Sequence, residues 1–258
     1  MKKMVLFIAM FLTLALRAQA EIKSEVIEYK EGDTVLEGYL VYDDAVKGKR
    51  PGVVVVHNWL GFGGSANQRT EQLAQLGYVA LAIDIYGKGV RPKNTDEAAA
   101  QATIYKSDRA LMRKRAWAGL DALMNHPLVD KDRLAAMGYC FGGTVSLELA
   151  RSGAPLAGVV SFHGGLSASN SEDAKNIKAK ILILHGADDP FVSEAEVQAF
   201  RKEMTGANVD WQLVYYSGAV HSFTEKAAGT DNAKGAAYNA SADKRSWEAM
   251  KQFFKEIF

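Results

Sequence analysis

The sequence predicts an α/β fold: a mostly parallel central sheet flanked by helices and opened by an N-terminal antiparallel hairpin. Three observations carry the prediction. Short apolar runs alternate with segments of helical period through most of the chain. One of these runs, 53–56, is four consecutive valines, as in a strand buried on both faces. Two strand-like stretches, 26–29 and 35–42, flank Glu31-Gly32-Asp33 and read as a hairpin.

Residues 1–20 stand apart from this pattern. Lys2 and Lys3 lead into an apolar run, 4–16, that ends in Ala18-Gln19-Ala20, the layout of a secretory signal peptide cleaved after Ala20. The run is shorter than the roughly 20 apolar residues of a spanning helix, and no stop-transfer charge cluster follows it. A single mature domain, 21–258, is therefore expected in the periplasm or secreted, with no membrane attachment. After the hairpin and Lys47-Gly48-Lys49-Arg50-Pro51, the valine run starts the centre of the sheet. Further strands are predicted at 79–83, 134–137, 156–162, 181–184 and 211–215. Helical spacing marks 67–76, 97–105, 110–124, 144–151, 194–204 and 242–258. The polar stretches 167–178 and 226–234 read as surface loops, as does the Asn239-Ala240-Ser241 sequon.

Loss of residues 1–20 removes Lys2, Lys3 and Arg17 and takes the formal net charge from +1 to −2. Such a chain has no electrostatic reason to bind nucleic acid or an anionic membrane, so a small-molecule partner is expected. The sequence leaves the oligomeric state open, with a monomer as the default. Cys140 is the only cysteine. It cannot form an internal disulfide, so its thiol is either buried and inert or chemically useful.

Its surroundings favour use. Gly138-Tyr139-Cys140-Phe141-Gly142-Gly143 lies between a predicted strand and a predicted helix and has the pattern G-x-C-x-G-G, a thiol version of the nucleophile elbow. A sharp turn there thrusts the nucleophile out at the sheet edge, and side chains at 138 or 142 would collide with the neighbouring strand or helix. The spacing differs from the G-x-G-x-x-G of a dinucleotide loop. At a helix N-terminus the sulfur is favoured as thiolate, and the Phe141 amide can donate to an oxyanion.

An acid and a histidine follow in the order this elbow requires. His185-Gly186-Ala187-Asp188-Asp189-Pro190-Phe191 comes after the strand at 181–184, and Ser217 to Phe223, with His221 inside it, comes after the strand at 211–215. In a parallel sheet these strand-end loops share one edge, so Cys140, Asp189 and His221 can meet as nucleophile, orienting acid and base. Asp188 is read as bracing the turn through backbone amides. His57, His163 and His185 also stand at strand ends, and His57 or His185 is read as a hydrogen-bonded residue of the pocket floor. The close His-x-x-x-His spacing of a metal site is missing, and no metal or other cofactor is expected.

With these residues in view, the chain resembles the dienelactone hydrolase family of the α/β-hydrolase fold. The resemblance rests on "VVVVHNWLGFGG", "GYVALAIDIYGKG", "GYCFGGTVSLELA", "GVVSFHGGL", "ILHGADDPFV", "AVHSFTE" and "GAAYNASADKRSWEAM", and extends from about residue 26 to 258. It implies Cys140 as nucleophile, Asp189 as acid, His221 as base, and an oxyanion hole from the amides of Phe141 and Trp59. Two departures accompany it. Asn58 stands where the family has a glutamate that takes part in activating the thiol, and asparagine cannot accept a proton. Lys88 and Glu225 stand at the positions of the arginines that hold a substrate carboxylate; Lys88 could bind an anion, whereas Glu225 would repel one.

The reading is an exported hydrolase of small carboxylic esters or lactones, on a substrate other than dienelactone itself. Asn58, Leu60, Phe62, Tyr86, Lys88 and Phe191, together with Trp59 and Phe141, are expected to line the pocket. The alternatives are a small-molecule binding protein that has kept the fold and lost turnover, and an acyl transferase using the same triad.

Overall fold

The computed structural model describes residues 21–258, so the signal-peptide reading of 1–20 lies outside the described residues. The hairpin forms as β1 (Ile22–Glu31) and β2 (Thr34–Asp43), and Gly32, with φ of 55°, supplies the left-handed residue of its turn. β2 then pairs antiparallel with β4 (Val79–Ile83), which joins the hairpin to the parallel part of the sheet.

That part comprises β3 (Arg50–Val56), β4, β5 (Val129–Tyr139), β6 (Gly158–Phe162), β7 (Lys180–Gly186) and β8 (Trp211–Tyr216). The sheet order is β1-β2-β4-β3-β5-β6-β7-β8. The four valines of β3 are fully buried between β4 and β5, so both faces of this central strand need apolar side chains and none of its positions alternates with a polar one.

Helices cover both faces: α1 (Gly64–Gln75), α2 (Thr95–Ser107), α3 (Arg109–Met124), α4 (Phe141–Arg151), α5 (Glu194–Gly206) and α6 (Ala240–Ile257). Two apolar layers result. One joins Val54, Val56, Leu81 and Ile83 to Met112, Leu120 and Phe200; the other joins Val53, Val55, Leu182 and Leu184 to Leu73, Met250 and Phe254. Alternate residues of the same strands therefore serve opposite layers. The fold is an α/β fold with a mixed, mostly parallel eight-stranded sheet, as the sequence predicts.

Element boundaries differ where a cap decides them. α4 starts at Phe141 rather than 144, with Cys140 as its N-cap, so Gly142 and Gly143 lie in its first turn. The predicted loops 167–178 and 226–234 contain short 3-10 turns at Ser171–Asn176, Lys226–Ala228 and Asn232–Lys234. The sequon asparagine is no loose loop residue. Asn239 caps α6, its Oδ1 accepting from the Ala242 amide at 3.0 Å while its Nδ2 donates to Gly218 O at 3.1 Å. No helix among the described residues is long and apolar enough to cross a membrane.

Candidate active site

Four parallel strands, β3, β5, β7 and β8, end at one edge of the sheet and place the site there. β5 runs into Cys140, whose φ of 54° puts a non-glycine residue in the left-handed region. The strain is fixed by packing. A Cβ at Gly138 would lie 2.1 Å from Gly142 O, and one at Gly142 would lie 2.3 Å from Val56 O, so strand, helix and β3 close on each other only because both residues are glycine. The Cys140 amide donates to Phe162 O at 3.0 Å and ties the elbow to β6.

His221 reaches the sulfur from the loop after β8. Its Nε2 lies 3.0 Å from Cys140 Sγ, and its Nδ1 donates to Asp189 Oδ2 at 2.8 Å. The loop is pinned by the His221 amide donating to Gly235 O at 3.1 Å and by Ala237 donating to His221 O at 3.0 Å. The imidazole is held edge-on by Phe191 on one contact and His163 on another, with ring centroids at 5.5 and 5.3 Å. Asp189 has a fully buried side chain, and its second oxygen, Oδ1, accepts from the Phe191 amide at 2.8 Å. Asp188 instead has an exposed side chain and braces the turn through its own amide, which donates to Ala219 O at 3.0 Å.

These contacts set the protonation states. Burial pushes His221 down, but the bonds to Asp189 and Cys140 outweigh it and raise its pKa to about 10. For Cys140, burial pushes the thiol up, while the His221 hydrogen bond and charge, the Phe141 amide and the more distant Lys106 hold it below its ordinary value. Both shifts bias the pair toward thiolate and imidazolium. The Phe141 amide faces the sulfur from the start of α4 and bonds to it, and the Trp59 amide donates to no backbone carbonyl among the described loop contacts. Such a group can attack an electrophilic centre, hold an oxyanion and return a proton.

The remaining predicted residues divide. Tyr86 is buried and supports the site from below: its hydroxyl donates to Trp59 O at 2.9 Å, and its ring packs on His57, Tyr105 and Phe141. Asn58 shapes the same loop, its Oδ1 accepting from Leu60 N at 2.9 Å. Leu60 and Phe191 are exposed apolar side chains, 49% and 61%, and Phe191 stands edge-on to His221. Phe62 carries the Arg91 guanidinium 4.9 Å over its ring. Lys88 is not brought to the group; it is ion-paired with Glu28 of the hairpin, because its own amide is tied to Val35 of β2 and directs the side chain across that edge.

His57 is the hydrogen-bonded floor residue expected, with Nδ1 donating to Asn58 O at 2.6 Å and Nε2 accepting from Ile85 N at 3.2 Å. Burial lowers its pKa and keeps it neutral. His185 lacks that bonding: its Nδ1 is buried without a partner among the described residues. Sequence reasoning did not single out Lys106 or the pair His163–Thr224, bonded at 2.8 Å behind His221. The strand-end position of His163 was a signal; nothing local marks Lys106. Among the described residues, no group of three or more His, Cys, Asp or Glu is arranged to hold a metal ion.

Comparison with known proteins agrees with this geometry. Residues 36–258 match the model of the dienelactone hydrolase family. The chain belongs to the dienelactone hydrolase family. A relative from Bradyrhizobium named "Probable 2-oxo-3-(5-oxofuran-2-ylidene)propanoate lactonase" is 30% identical over 189 residues, covering 70% of this chain and 76% of the relative. Protein usf of Aquifex pyrophilus is 27% identical over 240 residues, covering 90% and 98%. Among solved structures, a dienelactone hydrolase-like promiscuous phosphotriesterase from metagenomic libraries superposes with a TM-score of 0.89 at 42% identity, covering 93% of this chain and all of that one. This family member is thus a hydrolase on the α/β-hydrolase fold.

Proposed function

We propose that this hydrolase cleaves small carboxylic esters or lactones, with Cys140 as nucleophile, His221 as proton carrier and Asp189 as the acid that orients it. The observation that carries the reading is the unbroken line from Cys140 Sγ through His221 to Asp189, at 3.0 and 2.8 Å. The Cys140 thiolate adds to the substrate carbonyl, and the oxyanion accepts hydrogen bonds from the amides of Phe141 and Trp59. Collapse breaks the bond to the leaving oxygen, which takes the proton from His221 and leaves a thioester. Neutral His221 then takes a proton from water, whose oxygen attacks the thioester. Collapse releases the acid and restores the thiolate and imidazolium.

Asn58 cannot relay a proton, so activation of the sulfur rests on His221. The exposed apolar side chains of Leu60 and Phe191 suit an uncharged acyl or alcohol part. The test is chromophore release from short acyl esters and lactones by the purified chain 21–258 alongside Cys140→Ala and His221→Ala. Turnover lost in both variants supports the reading; turnover retained by Cys140→Ala overturns it.

A second reading is favoured by the likeness to the promiscuous phosphotriesterase. The same thiolate can attack the phosphorus of a neutral phosphotriester, expel an aryl oxide protonated by His221, and pass the phosphoryl group to water. Assay of an aryl dialkyl phosphate with the same variants tests it. We also propose export, on the layout of residues 1–20; N-terminal sequencing of chain recovered from cell fractions is the check, and an uncleaved cytoplasmic chain would refute it.

A further inference from the structure

We infer that Glu225 is a positioning residue, whose carboxylate, held by Ser65 at the start of α1, tethers the end of the loop carrying the Trp59 amide to the loop carrying His221. The inference rests on the ester hydrolase reading for its catalytic consequence, though the tether is a matter of geometry. On one side stands the segment 221–225. Thr224 Oγ1 is bonded to His163 Nε2 at 2.8 Å, His163 packs edge-on against His221, and the Glu225 amide donates to Ser222 O at 2.9 Å. The Glu225 side chain therefore leaves a segment fixed relative to the imidazole.

On the other side stands the loop between β3 and α1. Ser65, in the first turn of α1, donates to Glu225 Oε1 at 3.1 Å. Earlier in the same loop, Asn58 accepts from Leu60 N through Oδ1 at 2.9 Å and from Gly61 N through its carbonyl at 3.2 Å. Trp59 lies inside this turn, and Tyr86 holds its carbonyl from below. The acceptor that joins the two loops is thus a single carboxylate.

Its charge is not otherwise spent. Arg69 of α1 faces it but is paired with Asp243 of α6 at 2.5 Å and stacked over Trp247 and Tyr139. Burial pushes the Glu225 carboxyl above the usual range, and Ser65, Arg69 and Asn58 oppose that push. A half-buried carboxylate is costly unless its partners hold it, and these partners all belong to the loops it joins or to the helices behind them.

The experiment compares the parent chain with Glu225→Ala and Glu225→Gln by amide hydrogen exchange and by steady-state hydrolysis of a neutral short acyl ester. In Glu225→Ala, exchange at Leu60 and Gly61 should quicken about tenfold or more while α4 keeps its protection. The kcat should fall at least about tenfold with KM within about twofold. Alkylation of Cys140 by iodoacetamide, which uses the thiolate but no oxyanion hole, should keep its parental rate. Glu225→Gln retains an oxygen for Ser65 and should fall between. Unchanged exchange at Leu60 and Gly61 overturns the inference, as does quickened exchange with parental kcat, or loss of alkylation together with hydrolysis. If the parent cleaves no ester, the ester hydrolase reading falls, and the exchange result alone decides the tether.

Discussion

His221 Nε2 lies 3.0 Å from Cys140 Sγ although 81 residues separate the two. The bond helps raise His221 to about 10 and lower the thiol, which biases the shared proton toward nitrogen. The midpoint of the pH profile for Cys140 alkylation by iodoacetamide should therefore lie on the acid side of the usual thiol value of about 8.5. In His221→Ala, burial of the sulfur is no longer opposed by the imidazole, and the same titration should move to the alkaline side. An unmoved profile in the variant would show that another group sets the thiolate.

The two neighbouring aspartates should separate cleanly. Asp189→Asn removes the buried acceptor of the His221 Nδ1 proton and should lower kcat roughly 100-fold or more, with little change in KM. Asp188→Asn alters an exposed carboxylate and should stay within about twofold. Steady-state kinetics on one neutral ester checks both; equal losses would reverse the assignment.

Tyr86→Phe removes the hydroxyl that donates to Trp59 O. We expect a stability loss of about 1 kcal/mol in urea titration and a fall in kcat at constant alkylation rate, because the oxyanion loop loosens while the thiolate stays.

The elbow glycine offers a stability test. Gly142→Ala would put a Cβ 2.3 Å from Val56 O and 2.6 Å from His57 O, both backbone atoms, and should cost about 3 kcal/mol or more. Gly206→Ala, where a Cβ meets nothing within 4 Å at the end of α5, should be neutral or stabilising by about 0.5 kcal/mol.

Arg151 is fully buried, bonded to Glu203 at 2.8 and 2.9 Å and to Glu148 at 3.0 Å. Arg151→Met leaves Glu203 without its cation, whereas Glu148 keeps Arg113. Urea denaturation should show a loss of about 3–5 kcal/mol. A double variant that also carries Glu203→Gln should recover part of it, and no recovery would mean that packing rather than charge is responsible.

The elements and the line of Cys140, His221 and Asp189 were legible because each has a local cause. Four buried valines have one strand reading, a glycine-framed cysteine has one turn, and strand-end loops in a parallel sheet share an edge. The pocket was less legible. Lys88 and Asn58 both sit in loops that follow parallel strands, yet Lys88 turns to Glu28 and Asn58 to the Trp59 turn. The direction of each depends on a partner elsewhere in the chain, which spacing does not encode.

The sequence by itself determined where strands and helices form, the chain order of nucleophile, acid and base, and the need for glycine at the elbow. Short-range sterics and hydrophobic periodicity act within a few residues, and these features need no more. Only the tertiary structure decided that His163 stands behind the imidazole, that Lys88 turns away to Glu28, and that Glu225 accepts from Ser65 across two loops. Each depends on burial and on hydrogen bonds across the packed fold, where a polar group must point at whichever distant partner offsets its lost hydration.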